Sequence, residues 1–211
     1  MEIHFFEKID STQTALLEDL KNRKVFAPVA YFTTLQTRGV GSRGNEWIGE
    51  EGNFFLSFAL ESSQLPKDLP LQSIAIYFMY QLKTVLEQKG SRVWLKWPND
   101  LYLEEKKCGG CITNKVGDVI VCGIGINTKK APKGFAVLDI EIEAEPFLRD
   151  YFAHIEQKIS WKQIFSKYKL EFHKSKSYRT HIEDKEILLE NAELAEDGAL
   201  IISGERVYSY R

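Results

Sequence analysis

Residues 93–127 read VWLKWPNDLYLEEKKCGGCITNKVGDVIVCGIGIN. Short strand-like runs, Val93 to Lys96, Leu101 to Leu103, Cys108 to Thr113 and Val119 to Ile126, follow one another here with turn material between them. Gly117-Asp118 reads as a tight hairpin turn, which makes the strands on either side antiparallel. A mixed or antiparallel sheet covered by helices on one side follows, and the expected fold class is α+β.

Outward from this stretch, the texture is helical and strand-like by turns. An opening strand, Ile3 to Phe6, leads into Asp10-Ser11-Thr12, a helix cap followed by Leu16, Leu17 and Leu20 at helical spacing. Lys21, Arg23 and Lys24 then lie at the negative pole of that helix. Strands are expected at Val29 to Leu35 and Asn53 to Leu60, flanking a glycine-rich segment from Gln36 to Trp47. Leu71, Ile74, Ala75, Phe78, Leu82, Val85 and Leu86 mark one face of a long helix. On the C-terminal side, Ser160 and Gln163 form a capping box ahead of Trp161, Ile164, Phe165, Tyr168 and Phe172. The best boundary is Lys174 to Ser177, giving a main domain over 1–175 and a small one over 176–211. In the latter, strands at Ile187 to Leu194, Ala199 to Ile202 and Arg206 to Tyr210, turning at Asp197-Gly198 and Ser203-Gly204, suggest a small β-barrel.

With 211 residues, 44% hydrophobic, 12% aromatic and 27% charged, the chain has the composition of an ordinary globular protein with a real core. Its longest apolar stretch, near Phe54 to Leu60, is far short of a membrane span, and Met1-Glu2-Ile3-His4 lacks the start of a secretory signal, so the expected location is cytoplasmic. A net charge of -2 argues against wrapping nucleic acid. Cys108, Cys111 and Cys122 do not suggest a disulfide framework, and Cys108-Gly-Gly-Cys111 has no second pair to complete a zinc site.

Three segments have chemical content. Gly39-Val-Gly41-Ser-Arg-Gly44 satisfies the GxGxxG spacing, but Trp47 and the turn and strand after it are not the helix a dinucleotide site needs. What remains is a flexible loop whose backbone N–H groups, with Arg38 and Arg43, suit an anionic or strongly polar ligand, or else a mobile surface loop. In Lys96-Trp97-Pro98-Asn99-Asp100, an Asp and an Asn carbonyl near Lys106 and Lys107 suit Mg²⁺ held mainly by phosphates, or form a plain β-turn with solvated lysines. In Gly123-Ile-Gly125-Ile-Asn127, strand glycines mark close approach by a ligand or another backbone, and Asn127 offers a donor and an acceptor at the strand end.

Taken in order, QTRGVGSRGNEW (36–47), KWPNDLYLEEKKCGG (96–110) and GIGIN (123–127), preceded by Ser11-Thr12, resemble the biotin protein ligases. The likeness is dense over roughly residues 5 to 130, and its most specific part is KWPND with a lysine seven residues after its Asp. The resemblance implies a class II synthetase-like catalytic domain followed by an SH3-like barrel, in the short class without an N-terminal DNA-binding domain. It implies activation of biotin by ATP and Mg²⁺ to biotinyl-5′-adenylate, then transfer to a lysine of the biotin carrier protein of acetyl-CoA carboxylase or another biotin-dependent enzyme. By the same resemblance Lys107 is the catalytic lysine, with Lys96 and Arg43 screening charge. Ser11, Thr12, Gln36, Gly39, Val40, Lys107, Gly110, Gly123 and Gly125 would line the biotin pocket. Trp47 would stack on adenine, Arg43, Asn45, Lys96, Lys107 and Asn127 would contact the nucleotide, and Asp100 with Asn99 would hold Mg²⁺. Ser11 and Thr12 also serve as a helix cap, and Trp47 also reads as core.

The chain departs from the family's GRGRxGR loop, with Val40, Ser42 and Asn45 at its arginine positions, which implies a weaker hold on the adenylate. Cys108 and Cys111 flank the glycines beside Lys107, so thiol alkylation is expected to block activity. Rival readings are a lipoate or octanoate ligase or transferase on a related scaffold, a non-catalytic biotin-binding protein, and nucleic-acid binding by the C-terminal unit, whose acidic balance disfavours it. A homodimer is a further expectation from the group.

Overall fold

The computed structural model describes residues 1–49, 51–182 and 185–208. Along the chain the elements are β1 (Glu2–Phe6), α1 (Thr12–Lys21), β2 (Val29–Thr33), β3 (Gly39–Val40), β4 (Glu46–Trp47), β5 (Phe54–Glu61) and α2 (Ile74–Gln88). Next come β6 (Trp94–Lys96), β7 (Asp100–Leu103), β8 (Lys106–Val116), β9 (Val119–Ile126), α3 (Ala144–Glu156) and α4 (Trp161–Glu171). Five short strands complete the order, β10 (Arg179–Ile182), β11 (Lys185–Leu188), β12 (Glu193–Leu194), β13 (Leu200–Ile202) and β14 (Glu205–Val207).

Seven strands form one mixed sheet in the order β1-β2-β5-β9-β8-β7-β6. Only β1 and β2 pair in parallel; the β8-β9 hairpin turns at Gly117-Asp118, where Gly117 takes a positive φ of 58°. The sheet buries both faces, which corrects the expectation of helices on one side. One residue parity, including Phe58, Cys122 and Ile124, joins α2, α3 and α4 in the main core, where Phe58 meets Phe78, Tyr151 and Phe152 at centroid distances of 4.9, 6.0 and 5.6 Å. The opposite parity, Val29, Tyr31, Ala59 and Val121, packs on Leu16 of α1. That is why β2 is buried at every position rather than at alternate ones.

Helix α1 starts where the sequence indicates: the Ser11 hydroxyl accepts from the Thr14 amide at 3.3 Å. The capping box at Ser160 and Gln163 is formed as expected at the start of α4. Helix α3, which the sequence reading did not anticipate, buries Phe147, Leu148, Tyr151, Phe152 and Ile155.

The C-terminal residues form two small antiparallel sheets, β10-β11 and β12-β13-β14. The strand expected over 187–194 is divided, because Glu190-Asn191 turns the chain and the Ala192 amide bonds to Leu189 O at 3.1 Å. Leu189, Ala192, Leu194 and Leu200 belong to the main core. Two indole N–H groups stitch this segment down: Trp97 donates to Gly198 O at 2.9 Å and Trp161 to Glu196 O at 2.8 Å. The end of the strand expected over 206–210 lies outside the described residues, as do Glu183 and Asp184.

Candidate active site

A cavity of about 380 Å³ opens on the α1 side of the sheet, where α1 gives way to the glycine-rich loop. Register explains its floor. Opposed residues of neighbouring strands face the same way, and Phe55, Gly125, Gly110 and Asp100 form one such row across β5, β9, β8 and β7. Ser57, Gly123 and Ile112 form the next row. The glycines are there because side chains from elsewhere lie where a Cβ would stand. At Gly125 it would sit 2.6 Å from the Trp47 indole, at Gly123 2.5 Å from Gln13 Oε1, and at Gly110 2.9 Å from Asp100 Oδ1 and 3.3 Å from Lys107 Nζ.

Lys107 reaches this face through a bulge. Leu101 opposes Gly109 and Tyr102 opposes Lys107, so Cys108 is left without a partner and the alternation shifts by one. Without that extra residue Lys107, three positions from Gly110, would face the opposite side of the sheet. Its Nζ lies 2.7 Å from Asp100 Oδ1 and 5.5 Å from the centre of the Trp47 ring, with 26% of its side chain exposed and 17% of that of Asp100. A cation held beside a carboxylate and an aromatic face, open to solvent on one side, is ready to exchange partners with an anionic ligand.

The other end of the cavity is polar and buried. Gln36 Oε1 accepts from the Thr12 amide at 2.8 Å and from Thr12 Oγ1 at 3.0 Å, and Thr12 Oγ1 lies 2.8 Å from Ser57 Oγ. Gln13 donates through Nε2 to Asn114 Oδ1 at 2.9 Å, while its Oε1 is buried without a partner. Asn99 has the same condition: Nδ2 donates to Cys111 O, and Oδ1 is buried and unpartnered. Buried acceptors of this kind are rare in a finished fold and fit sites completed by a ligand.

The rim is built by two loops. Strands β3 and β4 form a hairpin that carries Val40, Ser42, Asn45 and Trp47 over the cavity. Arg38 does not line the ligand space; its side chain is 79% exposed and its guanidinium pairs with Asp10, at the base of α1. That contact, with the Thr37 hydroxyl, holds the Asp10 carboxyl below the usual range. The second loop, 128–138, contributes Pro132 and Phe135 and is tied to the sheet by Ala136 N to Lys107 O at 2.9 Å and Leu138 N to Asn127 O at 2.7 Å. Asn127 lines the cavity and donates through Nδ2 to Ala136 O at 3.2 Å, so it also anchors this loop.

Of the residues singled out from sequence, Ser11, Thr12, Gln36, Val40, Asn45, Trp47, Asn99, Asp100, Lys107, Gly110, Gly123, Gly125 and Asn127 line this one cavity. Gly39 is a buried residue of the hairpin itself, where a Cβ would meet Trp47 O at 2.6 Å, and does not line the cavity. Lys96 is buried too, and its ammonium lies over the Tyr102 and Tyr178 rings at 5.5 and 5.9 Å rather than in the cavity wall. The Arg43 side chain lies outside the described residues. Sequence reasoning missed Gln13, Phe55, Ser57, Ile112, Pro132 and Phe135, all of which line the cavity.

The cysteines correct another expectation. All three are buried, burial pushes the Cys108 thiol up to about 12, and burial pushes that of Cys122 well above its usual value. Thiols so placed are poor nucleophiles and poor targets for alkylation. Among the described residues no three His, Cys, Asp or Glu side chains converge on a metal site.

The match to known proteins follows these residues. The model of the biotin/lipoate A/B protein ligase family matches residues 5–128. The bifunctional ligase/repressor BirA of Escherichia coli is 36% identical over 126 residues, which are 56% of this chain and 38% of that protein. The biotin–[acetyl-CoA-carboxylase] ligase of Paracoccus denitrificans is 30% identical over 108 residues, 48% of this chain and 45% of that protein. The chain thus spans less than half the length of these curated relatives. Among solved structures, the biotin acetyl coenzyme A carboxylase synthetase of Helicobacter pylori with bound biotinylated ATP superposes with a TM-score of 0.94 at 42% identity over 99% of each chain. The biotin protein ligase of Aquifex aeolicus in complex with biotin and ATP has the same fold, with a TM-score of 0.79 at 22% identity over 100% of this chain and 96% of that one. With more than half its length matched by the family model and the cavity built from those residues, the chain belongs to the biotin/lipoate A/B protein ligase family.

Proposed function

We propose that this chain is a biotin protein ligase, which joins biotin and ATP into biotinyl-5′-adenylate with release of pyrophosphate and then passes the biotinyl group to a lysine of a biotin carrier protein. The observation that carries the reading is one cavity holding a buried polar end at Gln13, Gln36 and Ser57 and a cation–carboxylate pair, Lys107 and Asp100, at the other. Its volume of about 380 Å³ suits a small bicyclic acid with its carboxylate towards Lys107. Similarity over nearly the whole chain to a biotin acetyl coenzyme A carboxylase synthetase supports the same conclusion.

In the first step a biotin carboxylate oxygen attacks the α-phosphorus and the bond to the pyrophosphate oxygen breaks. Two anions must approach, and the Lys107 ammonium, moving from Asp100 to them, lowers that repulsion. In the second step the carrier lysine amine attacks the acyl carbon, and AMP leaves. Mg²⁺ would fit the site: Asp100 offers a carboxylate and Asn99 an unpartnered carbonyl oxygen, a donor set that leaves most coordination to phosphates. When bound, the ion would neutralise charge on the leaving pyrophosphate. Trp47 is the adenine platform in this reading. Lys96 supplies positive charge beyond the cavity wall, Arg43 is the second cation of the proposal, and the hydrophobic Val40 replaces a charged contact.

The same proposal includes a catalytic unit over 1–175, a C-terminal unit over 176–211 that closes as an SH3-like barrel, a cytoplasmic location and a homodimer, with no role for nucleic acid or membrane. No helix among the described residues is long and apolar enough to cross a membrane. Lipoate is the rival acid, and its dithiolane has no N–H to offer the orphan Gln13 oxygen.

The test is incubation of the chain with MgATP, biotin and a carrier domain of acetyl-CoA carboxylase, beside a reaction offering lipoate, read by intact mass. Biotin on one carrier lysine is expected, with Lys107→Ala slowing transfer by about 10²–10³-fold. Lipoate transfer in its place, or biotin binding with no transfer, overturns the reading.

A further inference from the structure

Two carboxamides, Gln13 and Gln36, line the polar end of the cavity, and each is already committed at one end. Gln36 uses its oxygen twice, for the Thr12 amide and hydroxyl, so its NH₂ end remains for a ligand. Gln13 is committed in the opposite sense: its NH₂ group donates to Asn114 Oδ1 at 2.9 Å, which leaves Oε1 facing inward, 4% exposed as a residue and without a partner. Gly123 makes room for that oxygen, since a Cβ there would sit 2.5 Å from it. Asn114 presents its carbonyl oxygen to Gln13, and that pairing keeps the Gln13 NH₂ group outward and its oxygen towards the cavity.

We propose that Asn114, an exposed residue of β8 outside the cavity, is a positioning residue that holds Gln13 with its oxygen inward, and that this makes the site selective for a ring carrying an N–H donor beside a carbonyl. The inference rests on the ligase reading and deepens it: a ureido ring satisfies both carboxamides, whereas a dithiolane leaves the Gln13 oxygen buried and unpaired. Lys107 takes no part, so this selection acts on the ring end of the substrate and not on its carboxylate.

The test uses the full chain, with biotin and a biotin methylated on its ureido nitrogens as titration probes and calorimetry as the readout. The wild-type chain is expected to prefer biotin by about ten- to a hundredfold, the usual effect of leaving one buried polar group unpaired. Asn114→Asp keeps an acceptor and should keep that ratio. Asn114→Lys presents only donors, so Gln13 should turn its NH₂ group inward, weaken biotin by about tenfold and bring the ratio to within about threefold. Because Asn114 is exposed, neither substitution enters the core. A lysine variant that keeps the wild-type ratio overturns the inference while leaving the ligase reading intact. A wild-type chain that binds neither compound overturns that reading and the inference with it.

Discussion

Asn53 is not among the residues that line the cavity, yet it fixes the start of a loop that forms one side of it. Its side chain is 1% exposed, and its Oδ1 accepts from three consecutive amides, Thr128, Lys129 and Lys130, at 3.0, 2.9 and 3.1 Å. Its Nδ2 donates to Lys130 O at 2.8 Å. These four bonds start the loop that carries Pro132 and Phe135 to the rim and Ala136 to the backbone of Lys107. Asn53→Ala removes all four. At roughly 0.5–1.5 kcal/mol each the loss would be about 2–6 kcal/mol. Lys129 and Lys130 are exposed, so water can take over part of it, and about 3 kcal/mol is expected. For a chain of 211 residues that corresponds to a fall in Tm of about 6–12 °C. Biotin affinity should fall as well, by about tenfold, because the loop must be ordered again on binding. Asn53→Asp, which keeps the acceptor and loses only the donor, should recover more than half of the lost Tm. Calorimetric melting and biotin titration on the same samples measure both effects. An alanine variant that melts within about 2 °C of the wild-type chain and binds biotin equally well would refute the view that this side chain organises the rim.

Gly125→Ala would drive a methyl into the Trp47 indole, whose nearest ring atom is 2.6 Å from the new carbon, so the ring must retreat by about 1 Å to reach normal contact. The β3-β4 hairpin can yield, so Tm should hardly move while biotin affinity drops by about tenfold; unchanged affinity would show that the indole does not close the site. For Asp197, burial would raise the carboxyl, but the Ala199 amide, Arg206, Gln72 and Tyr208 outweigh it and hold the group below its usual 3.8. Its stabilising contribution is therefore present above the unfolded value near pH 4 and lost as pH falls through the lower folded one. Urea midpoints between about pH 5 and pH 2.5 should decline less in Asp197→Asn than in the wild-type chain, and parallel declines would count against this anchor. The three buried thiols should resist a maleimide in the native state and all react in denaturant, and prompt native labelling of Cys108 would contradict its burial.

The sheet was legible because strand signals and turn signals agreed: Val119–Ile126 and the Gly117-Asp118 turn are found where periodicity indicates. Helix α3 was legible in principle, since Phe147, Leu148, Tyr151, Phe152 and Ile155 keep one helical face, but Glu143 provides no side-chain cap to announce its start. The second buried face was hidden because Leu16 is the one fully buried apolar residue of α1, with Ala15, Leu17 and Leu20 only partly buried against that face. The site was legible where a motif concentrated it, at 96–110 and 123–127. It was illegible at Gln13, Ser57 and Phe135, which come from a helix, a central strand and a loop that only tertiary packing brings together. The face of Lys107 was likewise beyond reach, since it depends on the unpaired Cys108.

That bulge and the glycines belong to one physical solution. A glycine in a strand costs about 0.5–1 kcal/mol relative to a residue that packs, and here three, Gly110, Gly123 and Gly125, face the cavity from two adjacent central strands. Each vacant Cβ position is taken by a group from a different part of the chain: the Gln13 amide from α1, the Trp47 indole from the hairpin, and the Lys107–Asp100 pair from β7 and β8. The sheet thus trades local stability for a floor thin enough that three separate segments can reach one small ligand. Only the bulge at Cys108 lets the lysine join them, because regular alternation on β8 would turn it away from Gly110. Polar recognition at one end and charge at the other therefore depend on the same strands, and displacing the ring end of a ligand by even a methyl's width would shift its carboxylate relative to Lys107.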